Sequence, residues 1–421
     1  MSGRLTLLAL FSVLIIADMF GVNLSFGAGL SLKNLVLYIL LIVIITRNAR
    51  LGIKQEAEIR RILITFVILV GYAVASWAFA SLGGSIANYD KWVSGYLLKS
   101  QLLDHLIFFY VFYSMVTNTE DAMFVIKGVI LLVIAGNIIT IMDAFNMPDL
   151  GIIVQREDGR VSGPLGEANQ YAAFLVLFIP AILARLVSSK GVRRLLVSGG
   201  LLLSVAVLFL TASRGAVVGI AVGSIISIWY LRRLLSTKKV LQVAIGVSIV
   251  FVIGLGIAVT KYGDTLEERF VTRTSAADIN TVSSSRYDIW KGAMDKQIEQ
   301  PASFITGFGW NSFKQIFPLA THNTYLAYLF FIGIPGLLIY LLLVYRILNL
   351  VRRGIACSAG DVRNILVGFL FGFSALLVAI FFVNLYAPWL FIWAYVGLVA
   401  RVSTEQIREA RDVISADAAK A

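Results

Sequence analysis

The chain has one cysteine and two histidines in 421 residues, and only 14% of its residues are charged. A single thiol, Cys357, forbids an intrachain disulfide. His105 and His322 lie far apart, and with one cysteine they cannot assemble a zinc site, so neither a metal nor another cofactor is expected. The scarcity of charge accompanies 59% hydrophobic residues and a mean hydropathy of +0.86, which excludes a soluble domain of this length. No repeat relates the two halves, as it does in many transporters. No carboxylate pair with glycosidase logic stands out either, although Asp278 and Asp288 share one hydrophilic segment. The net charge of +12 would suit a nucleic acid, but the basic residues sit in short loops between apolar runs. That is the positive-inside pattern of a membrane protein, and no nucleic-acid partner is expected.

What is present reads as an all-α, polytopic bundle of about twelve spans. Leu5–Phe20 is taken as a retained first span rather than a signal peptide. Further spans are expected at Leu32–Thr46, Ile62–Phe79, within Trp92–Val116, and at Ala122–Met142, Tyr171–Ala184 and Leu195–Leu210. An eighth ends at Leu231, and the rest are Val240–Thr260, His322–Val344, Ile365–Val383 and Trp389–Ala400. The basic loop Arg47–Arg61, the stretch Arg185–Arg194, Arg232 to Lys239, and Arg346 to Arg353 all fall on one side, so both termini are expected in the cytoplasm. The parse is 1–260 for spans one to nine, 261–321 for a partly helical outside loop, 322–400 for spans ten to twelve, and 401–421 for a cytoplasmic tail. Lys99, Asp104 and His105 fall within span four. Charges there invite a functional reading, but a Lys99–Asp104 pair that satisfies itself is preferred.

Three outside-facing groups stand out once the loops are placed. Arg214 follows Ser213 in a very short outside turn, TASRGAVVG, against the positive-inside bias. Ser213 suits a helix N-cap, and an anion there would meet helix-start amides and a guanidinium together. Gly215 and Gly219 keep one face of the helix open to close approach. Arg286 lies in SSSRYDIWKGAM, whose Tyr287, Ile289, Trp290, Ala293 and Met294 pattern as an amphipathic helix on the membrane surface. GFGWNSF, Gly307–Phe313, reads as a hinge or a sugar-stacking surface. His322 opens THNTYLAYLFFIGIPG, where polar residues run into an apolar helix interrupted at Gly333-Ile-Pro335-Gly336. Two readings of His322 stand open: a proton acceptor, or an interfacial residue that caps the helix. Arginine binds phosphate through a forked, permanently charged group. A neutral imidazole beside it can take a proton from a sugar hydroxyl. The combination suits a diphosphate leaving group.

HNTYLAYLFFIGIPG, preceded by TASRGAVVG and by SRYDIWKGAM with GFGWNSF, resembles the bacterial O-antigen ligase and O-antigen polymerase superfamily. The motifs cover about Thr211–Gly336, and GRVSGPLGEANQYA, Gly159–Ala172, looks like the segment before the family's sixth span. The resemblance implies a GT-C-type glycosyltransferase of the bacterial inner membrane, working at the periplasmic face without metal or nucleotide. It implies an undecaprenyl diphosphate-linked glycan as donor and, for a ligase, lipid A–core oligosaccharide as acceptor, within membrane lipids. A ligase is favoured, and a polymerase of O-antigen or exopolysaccharide is the alternative. Carried over by motif, Arg214 and Arg286 would bind the diphosphate and His322 would be the base. Arg156, Arg160, Asn323, Tyr325, Ser213 and Tyr287 are expected on the substrate side. A lipid-linked glycan transporter or flippase is the competing class, and an inactive scaffold is a third. The placement of the cations at one interface, not mid-bilayer, favours the transferase over both.

Overall fold

The computed structural model describes residues 32–51, 56–84, 86, 88–145, 156–157, 160–231, 236–317, 319–385 and 389–418. The expected span at Leu5–Phe20 lies outside them. The chain is almost wholly helical. It begins with α1 (Leu32–Leu51), α2 (Ala57–Ser81) and α3 (Lys91–Leu98). A π-helical turn, Lys99–Leu103, joins α3 to α4 (Asp104–Met115), and α5 (Thr119–Ala144) follows. A two-stranded hairpin, Arg156–Glu157 with Arg160–Val161, precedes α6 (Ala168–Val187), α7 (Gly191–Leu210), α8 (Arg214–Leu231) and α9 (Thr237–Glu267). The outer segment holds α10 (Ile279–Ser283), α11 (Arg286–Glu299), α12 (Ser303–Thr306) and α13 (Phe313–Ile316). The last three are α14 (Thr324–Cys357), α15 (Gly360–Ala379) and α16 (Trp389–Ala418).

Polar side chains set the helix starts. Asp90, Asn118, Glu167 and Asn323 each accept a backbone N–H from the first turn of α3, α5, α6 and α14. Among the described residues, eight helices are long and apolar enough to cross a membrane, and Asn34–Asn48 in α1 is a shorter apolar stretch. The helices pack through α15, which lies against α6 and α8, while α16 lies against α4, α14 against α2, and α9 against α7. With lipid outside, such contacts rest on close packing of small residues. On α8 the open face expected at Gly215 and Gly219 meets α15 and its C-terminal end. A Cβ at Gly223 would come 2.3 Å from Ala375 Cα, and one at Gly219 would come 2.9 Å from the Ala375 carbonyl.

The expected pair in the fourth span forms. Lys99 Nζ stands 3.0 Å from Asp104 Oδ2, and the Tyr38 hydroxyl donates to Asp104 Oδ1 at 2.8 Å. The π-turn explains the pairing, because its i→i+5 bonding brings positions five apart onto one face.

Two expectations for the outer segment change, and its helical part is located. The stretch Lys261–Thr272 is helical: α9 continues through a kink at Tyr262 into a π-turn at Glu268–Thr272. The Lys261 ammonium and the Tyr262 hydroxyl both donate to the Ala144 carbonyl, at 2.7 and 3.2 Å, and so hold the extension against the unsatisfied end of α5. Helix α11 forms where expected, but protein rather than lipid covers its apolar face. Ala293 is buried, and Ile289, Trp290 and Met294 pack on a cluster of Phe308, Phe313 and Phe330.

GFGWNSF is neither a hinge nor a stacking surface, since Phe308, Trp310 and Phe313 are buried. It docks into a break in α14, where Gly333 has φ +66° and frees the carbonyls of the turn before it. Leu329 O accepts from the Gln297 amide at 3.2 Å, and Phe330 O accepts from Phe308 N at 2.8 Å. Phe331 O accepts from Gly309 N at 3.1 Å and from the Ser76 hydroxyl at 2.7 Å. A Cβ at Gly307 would lie 2.1 Å from Phe331 O, so this docking requires glycine.

Candidate active site

A cavity of about 160 Å³ lies where the starts of α6 and α8, the π-turn after α9, the start of α11 and the end of α15 converge. Arg214, Arg269, Arg286 and His322 line it, with Asn169, Ser213 and Ser284. Ala173, Ala212, Gly215, Ala216, Ala379, Phe382 and Val383 form the rest of its wall. No carboxylate is among its described lining residues.

The chain places these groups by local geometry. Ala212 at φ +47° turns the backbone between α7 and α8, and the Ser213 carbonyl accepts from Ala216 N and Val217 N to start α8. The cavity therefore meets the first turn of α8, the positive end of its dipole. Arg214 reaches across to the outer segment: its Nη2 donates to the Val282 carbonyl at 2.7 Å and the Ser284 hydroxyl at 3.2 Å, and Nη1 donates to Thr274 Oγ1 at 3.3 Å. Ser284 and Ser285, at φ +55° and +61°, turn the chain from α10 into α11 and bring Arg286 to the cavity. Arg286 Nε is buried and, among the described residues, has no hydrogen-bond partner. An unsatisfied buried donor costs about 1–3 kcal/mol, which an anion in the cavity would offset. Burial, the Arg214 charge and the Arg269 charge all weaken the hold of the Arg286 guanidinium on its proton, against the opposing Glu167 carboxylate.

His322 occupies the turn before α14 at φ +47°, a conformation uncommon outside glycine and asparagine. Its neighbours hold that turn. Thr321 O accepts from the Trp290 indole at 2.8 Å, and Thr321 Oγ1 accepts from the Asn384 amide at 2.6 Å. Thr324 N donates to Ile380 O at 2.9 Å, and the Thr324 hydroxyl donates to Val383 O at 3.0 Å. The cap of α14 is Asn323, whose Oδ1 accepts from Leu326 N at 3.1 Å. The cap of α14 is thus made by Asn323 and not by the histidine. Its imidazole is half-buried, and burial first, then the Arg286 and Lys314 charges, pull its pKa below the ordinary 6.5, with Glu167 opposing. The neutral form is favoured.

Of the residues expected at the site, the structure brings Arg214, Arg286, His322 and Ser213 together. Arg160, Asn323, Tyr325 and Tyr287 are not among the described residues of the cavity wall. Arg160 is buried, and its guanidinium donates to the Thr211 carbonyl at 2.7 Å and to Asn169 Oδ1 at 2.8 Å. It braces the turn before α8 and orients Asn169. Tyr325 donates to the Leu377 carbonyl at 2.6 Å and so ties α14 to α15. Asn323 is occupied as the cap, and Tyr287 is exposed on α11. The side chain of Arg156 lies outside the described residues. Arg269, Glu167 and Asn169 did not emerge from the sequence. Glu167 and Asn169 sit in an E-A-N start before an apolar run, a capping signal that gives no hint of the cavity beside it.

Among the described residues no group of three His, Cys, Asp or Glu could hold a metal ion. A polyanion suits the arrangement: clustered guanidiniums, a helix start and an imidazole held neutral, in a partly closed cavity.

Residues 199–341 match the family model described as O-antigen ligase. The match supports membership of the O-antigen ligase superfamily. Arg214, Arg269, Arg286 and His322 all lie in the matched segment, while Glu167, Asn169 and the end of α15 lie outside it. No curated protein matches the chain.

Proposed function

We propose that this chain is a glycosyltransferase of the O-antigen ligase superfamily, one that takes a glycan from undecaprenyl diphosphate and passes it to a sugar of lipid A–core oligosaccharide. The reaction would occur at the periplasmic face of the inner membrane. The observation that carries the reading is the cavity lined by Arg214, Arg269, Arg286 and His322 with no described carboxylate.

In this reading Arg214 and Arg286 hold the donor diphosphate, helped by the first turn of α8. His322, neutral at the working pH, accepts the proton of the acceptor hydroxyl as its oxygen attacks the anomeric carbon. The bond from that carbon to the diphosphate oxygen breaks, its electrons stay on the diphosphate, and undecaprenyl diphosphate leaves. The leaving group needs no proton, so a single base suffices. Asn169 and Ser284, on the cavity wall, offer hydrogen bonds to sugar or phosphate oxygens.

The test is reconstitution of the purified protein with a lipid-diphosphate glycan and a lipid A–core acceptor. Transfer of the glycan to the core supports the ligase. Elongation of the glycan on its lipid carrier instead identifies a polymerase, and movement across the bilayer without transfer identifies a flippase. Deleting the gene gives the same answer in cells: a ligase deletion leaves long chains on the lipid carrier and none on lipid A, whereas a polymerase deletion leaves a single capped repeat.

A further inference from the structure

The reaction changes the charge in the cavity. A donor diphosphate esterified at both ends carries two negative charges. When the bond to the sugar breaks, its electron pair stays on the diphosphate, and the leaving group carries up to three. A site complementary to the transition state should hold a cation for the charge that appears, besides those for the charge already present. The cavity has three arginines, and the reading above uses two.

We propose that Arg269 is the third catalytic cation, contacting the diphosphate and stabilising the negative charge that develops as the glycosyl bond breaks. The inference rests on the glycosyltransferase reading and adds a role to it. Arg269 comes to the cavity wall on a different element from the other two cations: Arg214 starts α8, Arg286 starts α11, and Arg269 sits on the extension of α9. That extension is built to deliver it. The kink at Tyr262, pinned with Lys261 to the Ala144 carbonyl, redirects the helix, and the π-turn at Glu268–Thr272 that follows carries Arg269 at the cavity wall. Within this turn Arg273 pairs with Glu268 at 3.0 Å. Arg214 is already committed in part to Val282, Ser284 and Thr274, so it alone cannot follow a charge that moves from bond to phosphate.

The expected signature separates ground state from transition state. Arg269→Ala should lower kcat by roughly 10²–10³-fold, the usual cost of one oxyanion donor. Its donor affinity should change by less than the rate does. Affinity for undecaprenyl diphosphate, the product with the extra charge, should fall by more than affinity for the intact donor. Arg269→Lys should recover part of the rate, because a point charge supplies the electrostatics without the fork. Arg214→Ala and Arg286→Ala are measured beside it. If those two lose donor binding while Arg269→Ala keeps the wild-type rate, or loses donor and product affinity equally, the role of Arg269 is overturned and the diphosphate site stands. If Arg214→Ala and Arg286→Ala bind donor as the wild type does, the diphosphate reading itself is wrong, and the proposal for Arg269 falls with it.

Discussion

The Trp290 indole N–H donates to the carbonyl of Thr321 at 2.8 Å, joining the middle of α11 to the residue before His322. Arg286 stands one turn earlier on the same helix. One rigid element thus fixes both a cation and the histidine turn of the cavity. Trp290 also meets Phe381, at the end of α15, edge-on with ring centroids 5.4 Å apart.

If His322 is the base, His322→Ala should lower single-turnover transfer by roughly 10²–10⁴-fold with donor affinity nearly intact. His322→Asn should be as impaired, because the cap of α14 is Asn323 and an amide is no base. Near-normal transfer by the Asn variant would leave a site run by the arginines alone.

The pH dependence follows from the same group. The neutral imidazole is the active form, so the wild-type rate should fall as pH drops through a pKa below 6.5. Glu167 opposes that depression, so Glu167→Gln should move the acid limb to still lower pH. The limb is read from rate–pH profiles at saturating donor, and a shift to higher pH would contradict the sign.

Arg214→Ala and Arg286→Ala should both abolish transfer. Losing the charge-assisted contacts to a buried diphosphate costs about 2–5 kcal/mol of binding. Lysine should rescue poorly at either position. The two differ in a second readout. Arg214 also holds Thr274, Val282 and Ser284, so its loss should raise protease sensitivity around residues 274–284, whereas Arg286→Ala should not.

Gly333→Ala should destabilise the protein strongly. Its Cβ would lie 2.4 Å from Ile305 O at φ +66°, and such a backbone conformation alone costs on the order of 1–3 kcal/mol for a non-glycine residue. Gly256→Ala, with nothing within 4 Å, is the control and should be neutral in a detergent thermal melt.

The loop charges predict that the outer segment is periplasmic. A cysteine at exposed Gln300 should react with an impermeant thiol reagent in cells with a permeabilised outer membrane, while Cys357 stays protected. Labelling of Cys357 alone would reverse the topology.

The sequence displays those features whose residue types conflict with a lipid-facing helix. Arg214 breaks the positive-inside bias, and Gly333 with Pro335 breaks an apolar run, so both are legible. Arg269 is not, because Glu267-Glu268-Arg269 reads as a solvated face until the kink at Tyr262 and the π-turn change its direction. Arg160 misleads for the opposite reason. It has the right charge in the right loop, but the Thr211 carbonyl and Asn169 occupy its guanidinium, and no local pattern reports a partner 51 positions away. GFGWNSF has the composition of an exposed aromatic turn, and only the carbonyls freed in α14 explain its burial.

The break at Gly333 also sets the unit in which this protein can be recombined with its relatives. Residues 297–309 and the carbonyls of Leu329, Phe330 and Phe331 are matched to one another bond by bond. A chimera that imports a foreign outer loop but keeps the resident first half of α14 would inherit donors and acceptors out of register. The functional cassette is therefore the loop together with the membrane helix as far as Gly333, and Ser76 on α2 is the point at which the host scaffold must be fitted to it.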